Sequence, residues 1–296
     1  MKILVTETFR HFLPNGKGWL EGIDQLGHEG YALQSDRYTI NQIDEAMDVI
    51  VFMGMHTVNI EHIADYKNRF PTTKMVVVCY GFDEKYLDLK PYIDLWVEHN
   101  YKHDLVDVMF EQNGMKLIHI PLGSSTSMFN KIETPKTYDV SFIGNFAHGY
   151  REEDIYLDPV IKLYPNGVYS GFYEHPHLAP DQLNIAYNLT RVNINFHYQH
   201  QKMQSHKQSD SIDFNSRIFD IALSGNFQLC DHPYTSLVFE DGVKCTSKED
   251  WMDAIDHYIH NENDRLDMAQ KAQAICLQKH TWKSRMEEFI NHINAL

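Results

Sequence analysis

The segment Asp139-Val140-Ser141-Phe142-Ile143-Gly144-Asn145-Phe146-Ala147-His148-Gly149-Tyr150-Arg151-Glu152 is the clearest strand-to-helix passage in the chain. It reads as a buried strand, a glycine turn, and a basic residue leading into a helix. In open α/β sheets the turn after such a strand aims backbone N–H groups and a helix N-terminus at anions, so a diphosphate would fit here. A glycine after a strand is also commonly just a turn, and the segment alone leaves both readings open.

Short apolar, β-branched runs recur on either side of it. They span residues 2–6, 48–53, 74–79, 94–98 and 116–121 in the first half, then 139–143, 167–170, 192–196, 227–230 and 243–245. Helically spaced segments lie between several of them, the alternation that βαβ units and parallel sheets require. Residues 123–138 are rich in Ser, Thr and Pro, lack periodicity, and read as the connection between the two series. At 296 residues the chain exceeds one ordinary domain. The predicted organisation is therefore α/β, with a Rossmann-like N-terminal domain over 1–125 and a Rossmann-like C-terminal domain over 126–296. Near the C-terminus, Ser247 and Asp250 form a capping box. Trp282, Met286, Phe289, Ile290 and Ile293 share one helical face, and Trp251, Tyr258 and Trp282 read as packing anchors.

Hydrophobic residues make up 43% of the chain and the net charge is -15, which describes a globular protein that repels phosphate backbones at long range. The first apolar stretch is too short for a signal peptide, and no later run approaches the roughly 18 apolar residues of a membrane span, so a cytoplasmic protein is expected. Cys79, Cys230, Cys245 and Cys276 contain no C-x-x-C pair and read as reduced thiols. His175, His177, His197, His200 and His206 follow no recognised ligand spacing, and no Asp-x-Asp occurs, so no metal site is expected. The Gln- and His-rich stretch 199–208 reads as a loop, either a flap over a site or a solvated excursion.

A second segment, Asn215-Ser216-Arg217-Ile218-Phe219-Asp220, bears on the first. If Arg217 opens a helix, Asp220 lies one turn on and on the same face. The guanidinium fork clamps phosphate oxygens, and the carboxylate accepts from the vicinal hydroxyls of a ribose. The plain alternative is a surface ion pair at i, i+3.

Four blocks in order carry a resemblance: residues 138–145 with Arg151 following, residues 183–196, Arg217-Ile-Phe-Asp220, and His280-Thr-Trp-Lys-Ser-Arg285. Together they resemble the spore-maturation-type and family-1-like glycosyltransferases; Leu26-Gly-His-Glu-Gly30 and His119-Ile-Pro-Leu-Gly123 with Phe129 extend the similarity into the first half. The resemblance implies the GT-B fold, two Rossmann-like domains facing each other across a cleft with the C-terminal helices packing back. It also implies an enzyme that moves a sugar from a nucleotide sugar, UDP-sugar foremost, to an acceptor hydroxyl. More narrowly, Gly-x-Phe-x-x-Gly-x-Arg-Glu over 144–152 and Arg217-x-x-Asp220 resemble the donor-site motifs of bacteriophage DNA β-glucosyltransferases. That similarity implies Gly144, Asn145, His148 and Arg151 at the phosphates, Arg217 on the diphosphate and Asp220 on the ribose. Asp220 is one methylene shorter than the usual Glu. Helix ends and arginines replace a divalent metal in such a site. The acceptor is then a small molecule, a glycan, a protein or hydroxymethylated DNA, with net charge opposing the last. A catalytically inactive nucleotide-sugar binder is a further reading.

The base that activates the acceptor should come from the N-terminal half. Asp83, after the strand at 74–79 and the turn Tyr80-Gly81-Phe82, is the candidate, and Glu98 the alternative; a solvated loop carboxylate is the plain reading. Asn15-Gly16-Lys17-Gly18 reads either as a loop approaching the substrates or as a turn before the Trp19 helix.

Overall fold

The computed structural model describes residues 1–8, 15–144, 152–171, 178–197, 211–247 and 249–296. The elements up to the mid-chain are β1 (Lys2–Glu7), α1 (Asn15–Gln25), β2 (Glu29–Gln34), β3 (Val49–Met53), α2 (Ile60–Arg69), β4 (Lys74–Cys79), α3 (Tyr86–Leu89), β5 (Leu95–Glu98), β6 (Lys102–His103), α4 (Asp104–Gln112) and β7 (Leu117–His119). There follow β8 (Tyr138–Ile143), α5 (Glu152–Leu163), β9 (Gly167–Ser170), α6 (Pro180–Leu189), β10 (Thr190–Asn195), β11 (Ser211–Ile212), α7 (Arg217–Leu223), β12 (Gln228–Cys230), α8 (Thr235–Phe239), β13 (Lys244–Cys245), α9 (Trp251–His260), α10 (Glu262–Lys279) and α11 (Trp282–Asn294). The described residues form two compact units: Met1–Gly123 with 211–213 and Trp282–Leu296, and 124–197 with Phe214–Thr281. No helix among the described residues is long and apolar enough to cross a membrane.

The first unit holds a parallel sheet in the order β2-β1-β3-β4-β5-β7. Strands such as Val49-Ile-Val-Phe-Met53 are buried along their whole length because helices cover both faces. On one face Ile3, Val5, Val51, Val76 and Val97 pack against Trp19 of α1 and Met286, Phe289 and Ile293 of α11. On the other, Leu4, Ile50, Phe52, Val77 and Trp96 pack against Ile63 and Tyr66 of α2 and Phe110 of α4. The close approach of α1 to α11 is what its glycines serve. A Cβ on Gly22 would run into the Trp282 carbonyl and lie 2.6 Å from Met286 Cγ.

Two sequence expectations need correction here. The second domain is expected to run over 126–296, but Trp282–Leu296 packs in the first unit, because the apolar face of α11 closes that unit's core. Strand β2 is absent from the expected set; it is a half-exposed edge strand, Glu-Gly-Tyr-Ala-Leu-Gln, without the buried apolar run that betrays an inner strand.

The second unit holds a parallel sheet in the order β13-β12-β10-β8-β9. Along β10, Val192, Ile194 and Phe196 face a core with Leu157, Val160, Trp251 and Ile255. The alternating Asn193 and Asn195 point the other way, wholly buried. Their amides are satisfied: Ser141 Oγ donates to Asn193 Oδ1 at 2.6 Å, and Asn193 donates to the Phe227 carbonyl at 3.1 Å. In each sheet the chain first winds one way and then the other, giving a switch point between β1 and β3 in the first unit and between β8 and β10 in the second.

Candidate active site

At the second unit's switch point, β8 ends at Ile143, and the Gly144 N–H donates to the Ser170 carbonyl at 3.0 Å. Helix α7 opens at Arg217, as predicted. Its start is pinned to the end of β10, where the Asn215 side-chain amide donates to Asn195 Oδ1 at 3.0 Å and to the Phe196 carbonyl at 3.1 Å. Gln228 Nε2 donates to the Ile218 carbonyl at 2.8 Å. These bonds deliver the Arg217 side chain to the end of β8. Its Cζ lies 5.2 Å from the centre of the Phe142 ring, and a Cβ on Gly144 would meet Arg217 Nη2 at 2.7 Å. Two segments that read separately in the sequence thus become one place, and any side chain at position 144 would push the guanidinium aside.

Arg217 Nη1 is buried and has no hydrogen-bond partner among the described residues. Burial lowers the guanidinium's pKa, with Tyr187, Asp220 and Asp231 opposing, and an arginine so placed remains a cation. Asp220 is buried as well, and Oδ1 accepts from the Ser124 hydroxyl at 2.7 Å. The reading of a solvated surface ion pair therefore fails. Burial pushes the Asp220 carboxyl up to about 7, against the Ser124 hydrogen bond and the Arg217 charge.

His197 follows β10, and its backbone N–H donates to Asp231 Oδ1 at 2.7 Å, just past β12. Its Nδ1 lies 3.2 Å from Cys230 Sγ and 3.7 Å from Asp231 Oδ1, while Nε2 is buried without a partner. Burial lowers the imidazole's pKa, and the hydrogen bond to Asp231 opposes it. Asn215 Oδ1 is unpartnered too. Of the eight buried side-chain atoms without partners among the described residues, three thus cluster where β10 ends and α7 begins. Native interiors leave few such groups, and a cluster of them marks a place for a polar ligand.

The first unit's switch point is different. Gly16 in the first turn of α1 donates its N–H to Glu7 Oε2 at 2.7 Å, so the chain's own carboxylate fills the position where an anion would sit. Asn15-Gly-Lys-Gly18 is accordingly neither loop nor turn but the start of α1. Asp83 is exposed, and its Oδ1 accepts the Lys85 N–H at 3.0 Å where α3 begins. Glu98, at the end of β5, is buried; Oε1 accepts from the Gly81 N–H at 2.9 Å and faces His103 Nδ1 at 3.1 Å, and Oε2 makes no hydrogen bond among the described residues but lies 4.0 Å from His119 Nδ1. Beside it, burial holds His99 neutral with a pKa of about 4. Its Nδ1 donates to the Ile120 carbonyl at 2.8 Å, and Nε2 is open.

Of the site residues expected from the sequence, Gly144, Arg217 and Asp220 converge in the second unit, whereas Asp83 lies in the first. Asn145, His148 and Arg151, the stretch 199–208, and His175, His177, His200 and His206 lie outside the described residues. Ser124 and Asn215 have no role expected from the sequence, and His197 is expected there only as a histidine without ligand spacing. Asn215 opened the quoted segment and could have been found there; Ser124, 96 residues from its partner, leaves no local signal.

The family described as glycosyl transferase-like matches residues 127–291. This chain belongs to that family. No curated relative matches the glycosyl transferase-like chain. Among solved structures it is similar to HepE of Anabaena in complex with UDP and glucose, at 10% identity and a TM-score of 0.64 over 100% of both chains. It is also similar to an α-glucosyltransferase in complex with UDP and a 13-mer DNA containing an HMU base, at 12% identity and 0.63 over 99% of each chain. A third is AviGT4, a glycosyltransferase of avilamycin A biosynthesis, at 9% identity and 0.62 over 100% of this chain and 98% of that one. At these identities the likeness shows the fold, which is GT-B.

Proposed function

We propose that the glycosyl transferase-like chain transfers a sugar from a nucleotide sugar, UDP-sugar foremost, to an acceptor hydroxyl. The observation that carries this reading is the buried Arg217 guanidinium, with Nη2 beside Gly144 at the second switch point and Nη1 without a hydrogen-bond partner among the described residues. A diphosphate supplies the acceptor oxygens that this cation lacks, and the same contact stabilises the charge that develops on the departing nucleoside diphosphate. Asp220 accepts from the ribose hydroxyls one helical turn on. Asn145, His148 and Arg151 complete the phosphate contacts, and the site requires no divalent metal for donor binding. The occurrence of UDP in the solved HepE and α-glucosyltransferase complexes supports the choice of donor.

For the acceptor base we favour Glu98 over Asp83. Glu98 has an oxygen that makes no hydrogen bond among the described residues, whereas Asp83 is exposed and occupied in opening α3. The preferred acceptor is a small molecule, glycan or protein. A hydroxymethylated DNA acceptor draws support from the DNA-bound α-glucosyltransferase, but a net charge of -15 opposes it.

Thermal denaturation with UDP, followed by incubation with radiolabelled UDP-sugars with and without hydroxymethylated DNA, tests the reading. Stabilisation by UDP and transfer of label are expected. Stabilisation without transfer or donor hydrolysis would leave a binder only. No shift at millimolar UDP would sink the donor site.

A further inference from the structure

His197, Cys230 and Asp231 bring a ring nitrogen, a sulfur and a carboxylate oxygen within 4.8 Å of one another. The backbone holding them is rigid: β10 and β12 are paired neighbours with Asn195 opposite Cys230, and His197 and Asp231 follow directly. Zinc bound tetrahedrally at about 2.0–2.3 Å separates its nitrogen, oxygen and sulfur ligands by roughly 3.3–3.6 Å. The distances here, 3.2 Å from Nδ1 to Sγ and 3.7 Å from Nδ1 to Oδ1, bracket that range without a cation to draw the groups together. The His232 N–H points at Cys230 Sγ from 3.4 Å, the kind of outer contact that steadies a metal-bound thiolate.

A histidine bound to metal through one nitrogen carries its proton on the other and donates it outward. His197 Nε2 is buried without a hydrogen-bond partner among the described residues, so binding through Nδ1 would leave that outward proton to an acceptor outside them.

We propose that His197 Nδ1, Cys230 Sγ and an Asp231 carboxylate oxygen bind one zinc-type divalent cation, with water in the fourth position. The mixed nitrogen, sulfur and oxygen set suits a borderline-soft ion. On binding, the Cys230 thiol releases its proton to solvent and the sulfur forms the bond to the metal; nothing is oxidised or reduced. The cation clips the end of β10 to the end of β12 and fixes Nε2 as an N–H donor. The inference does not rest on the nucleotide-sugar reading. It was hidden in the sequence because the ligands come from two strand ends 33 residues apart and follow no short spacing.

Untagged full-length protein, stripped with a chelator and dialysed, is titrated with cobalt(II) chloride and then zinc chloride. A thiolate-to-cobalt charge-transfer band in the near ultraviolet is expected, abolished by about one equivalent of zinc, as a site with a Cys ligand requires. Zinc also raises the melting temperature. Cys230→Ser removes the band, and Asp231→Asn keeps it while weakening cobalt binding by tenfold or more; circular dichroism checks that both variants fold. If Cys230→Ser does not fold, protection of Cys230 from alkylation by zinc in the wild-type chain replaces it. Absence of the band in folded wild-type protein overturns the proposal. So does zinc uptake without the band, which is surface histidine binding, or a band that survives in Cys230→Ser, which belongs to exposed Cys245.

Discussion

Arg217 carries the heaviest burden of any single residue. Charge-assisted hydrogen bonds contribute about 1.5–3 kcal/mol each, so Arg217→Ala is expected to weaken UDP binding by roughly 10- to 100-fold for one bond and more for two. Calorimetric titration checks this; wild-type affinity in a folded variant would refute the site. Asp220 makes a pH statement. Its carboxyl stands near 7 in the fold, above the ordinary 3.8, with Arg217 and Tyr187 the titratable groups facing it. The fold therefore holds the proton more tightly than the unfolded chain does. That contribution to stability is complete below about 4 and lost as pH rises through about 7. Asp220→Asn should gain in relative melting temperature between these limits and level off above them. Because ribose hydroxyls donate to the ionised form, wild-type UDP affinity should rise through pH 7, and the variant's should not. The two carboxylates of the first unit are separated by exchange. Glu98→Gln is expected to lower transfer by about 10²–10⁴-fold with UDP binding unchanged, the range for a lost general base, and Asp83→Asn to leave the rate nearly intact. Rates measured with UDP-sugar and water as acceptor decide between them, and the opposite order would return the role to Asp83.

Among the elements, the pairing of α1 with α11 is the most exacting. Gly22 in mid-helix costs about 1 kcal/mol of intrinsic helix stability relative to alanine, so Gly22→Ala would be a gain on an isolated helix. Here the added methyl meets the Trp282 carbonyl, backbone that cannot rotate aside. The variant should be destabilised by about 1–3 kcal/mol, as overpacked cores are. Urea denaturation measures it, and a more stable variant would show that α11 can yield. Helix α7 shows a different kind of control. Its Ile218-Phe219 and Ile221-Ala-Leu223 are all buried, so packing sets where the helix lies, while the Asn215 amide and Gln228 set where it begins. The start matters more for chemistry, because a shift of one residue would swing Arg217 about 100° round the axis and away from Gly144.

For the molecule as a whole, the last fifteen residues decide whether the first unit has a closed core. Trp282, Met286, Phe289, Ile290 and Ile293 are all buried against it. Five such side chains at about 1.5–3 kcal/mol each come to roughly 8–15 kcal/mol, as large as the entire stability of an ordinary domain. A chain ending at Thr281 is therefore expected to lose the first unit's cooperative unfolding transition, read by circular dichroism and limited proteolysis. Retention of wild-type melting would show that the helix is an accessory.

The α/β class, most inner strands and the apolar face of α11 were legible in the chain, because each is written in spacings of two to four residues that burial imposes locally. The sequence also made Arg217, Asp220 and Gly144 candidates, through residue types suited to phosphate and ribose. Three-dimensional packing alone makes Gly144 and Arg217 one place, buries Asp220 against Ser124, closes the first unit's switch point with Glu7, and assigns the terminal helix to the first unit. The same holds for His197, Cys230 and Asp231. These relations join residues far apart in the chain, and what joins them is the order of strands in a sheet, which leaves no periodic trace in the segments it brings together.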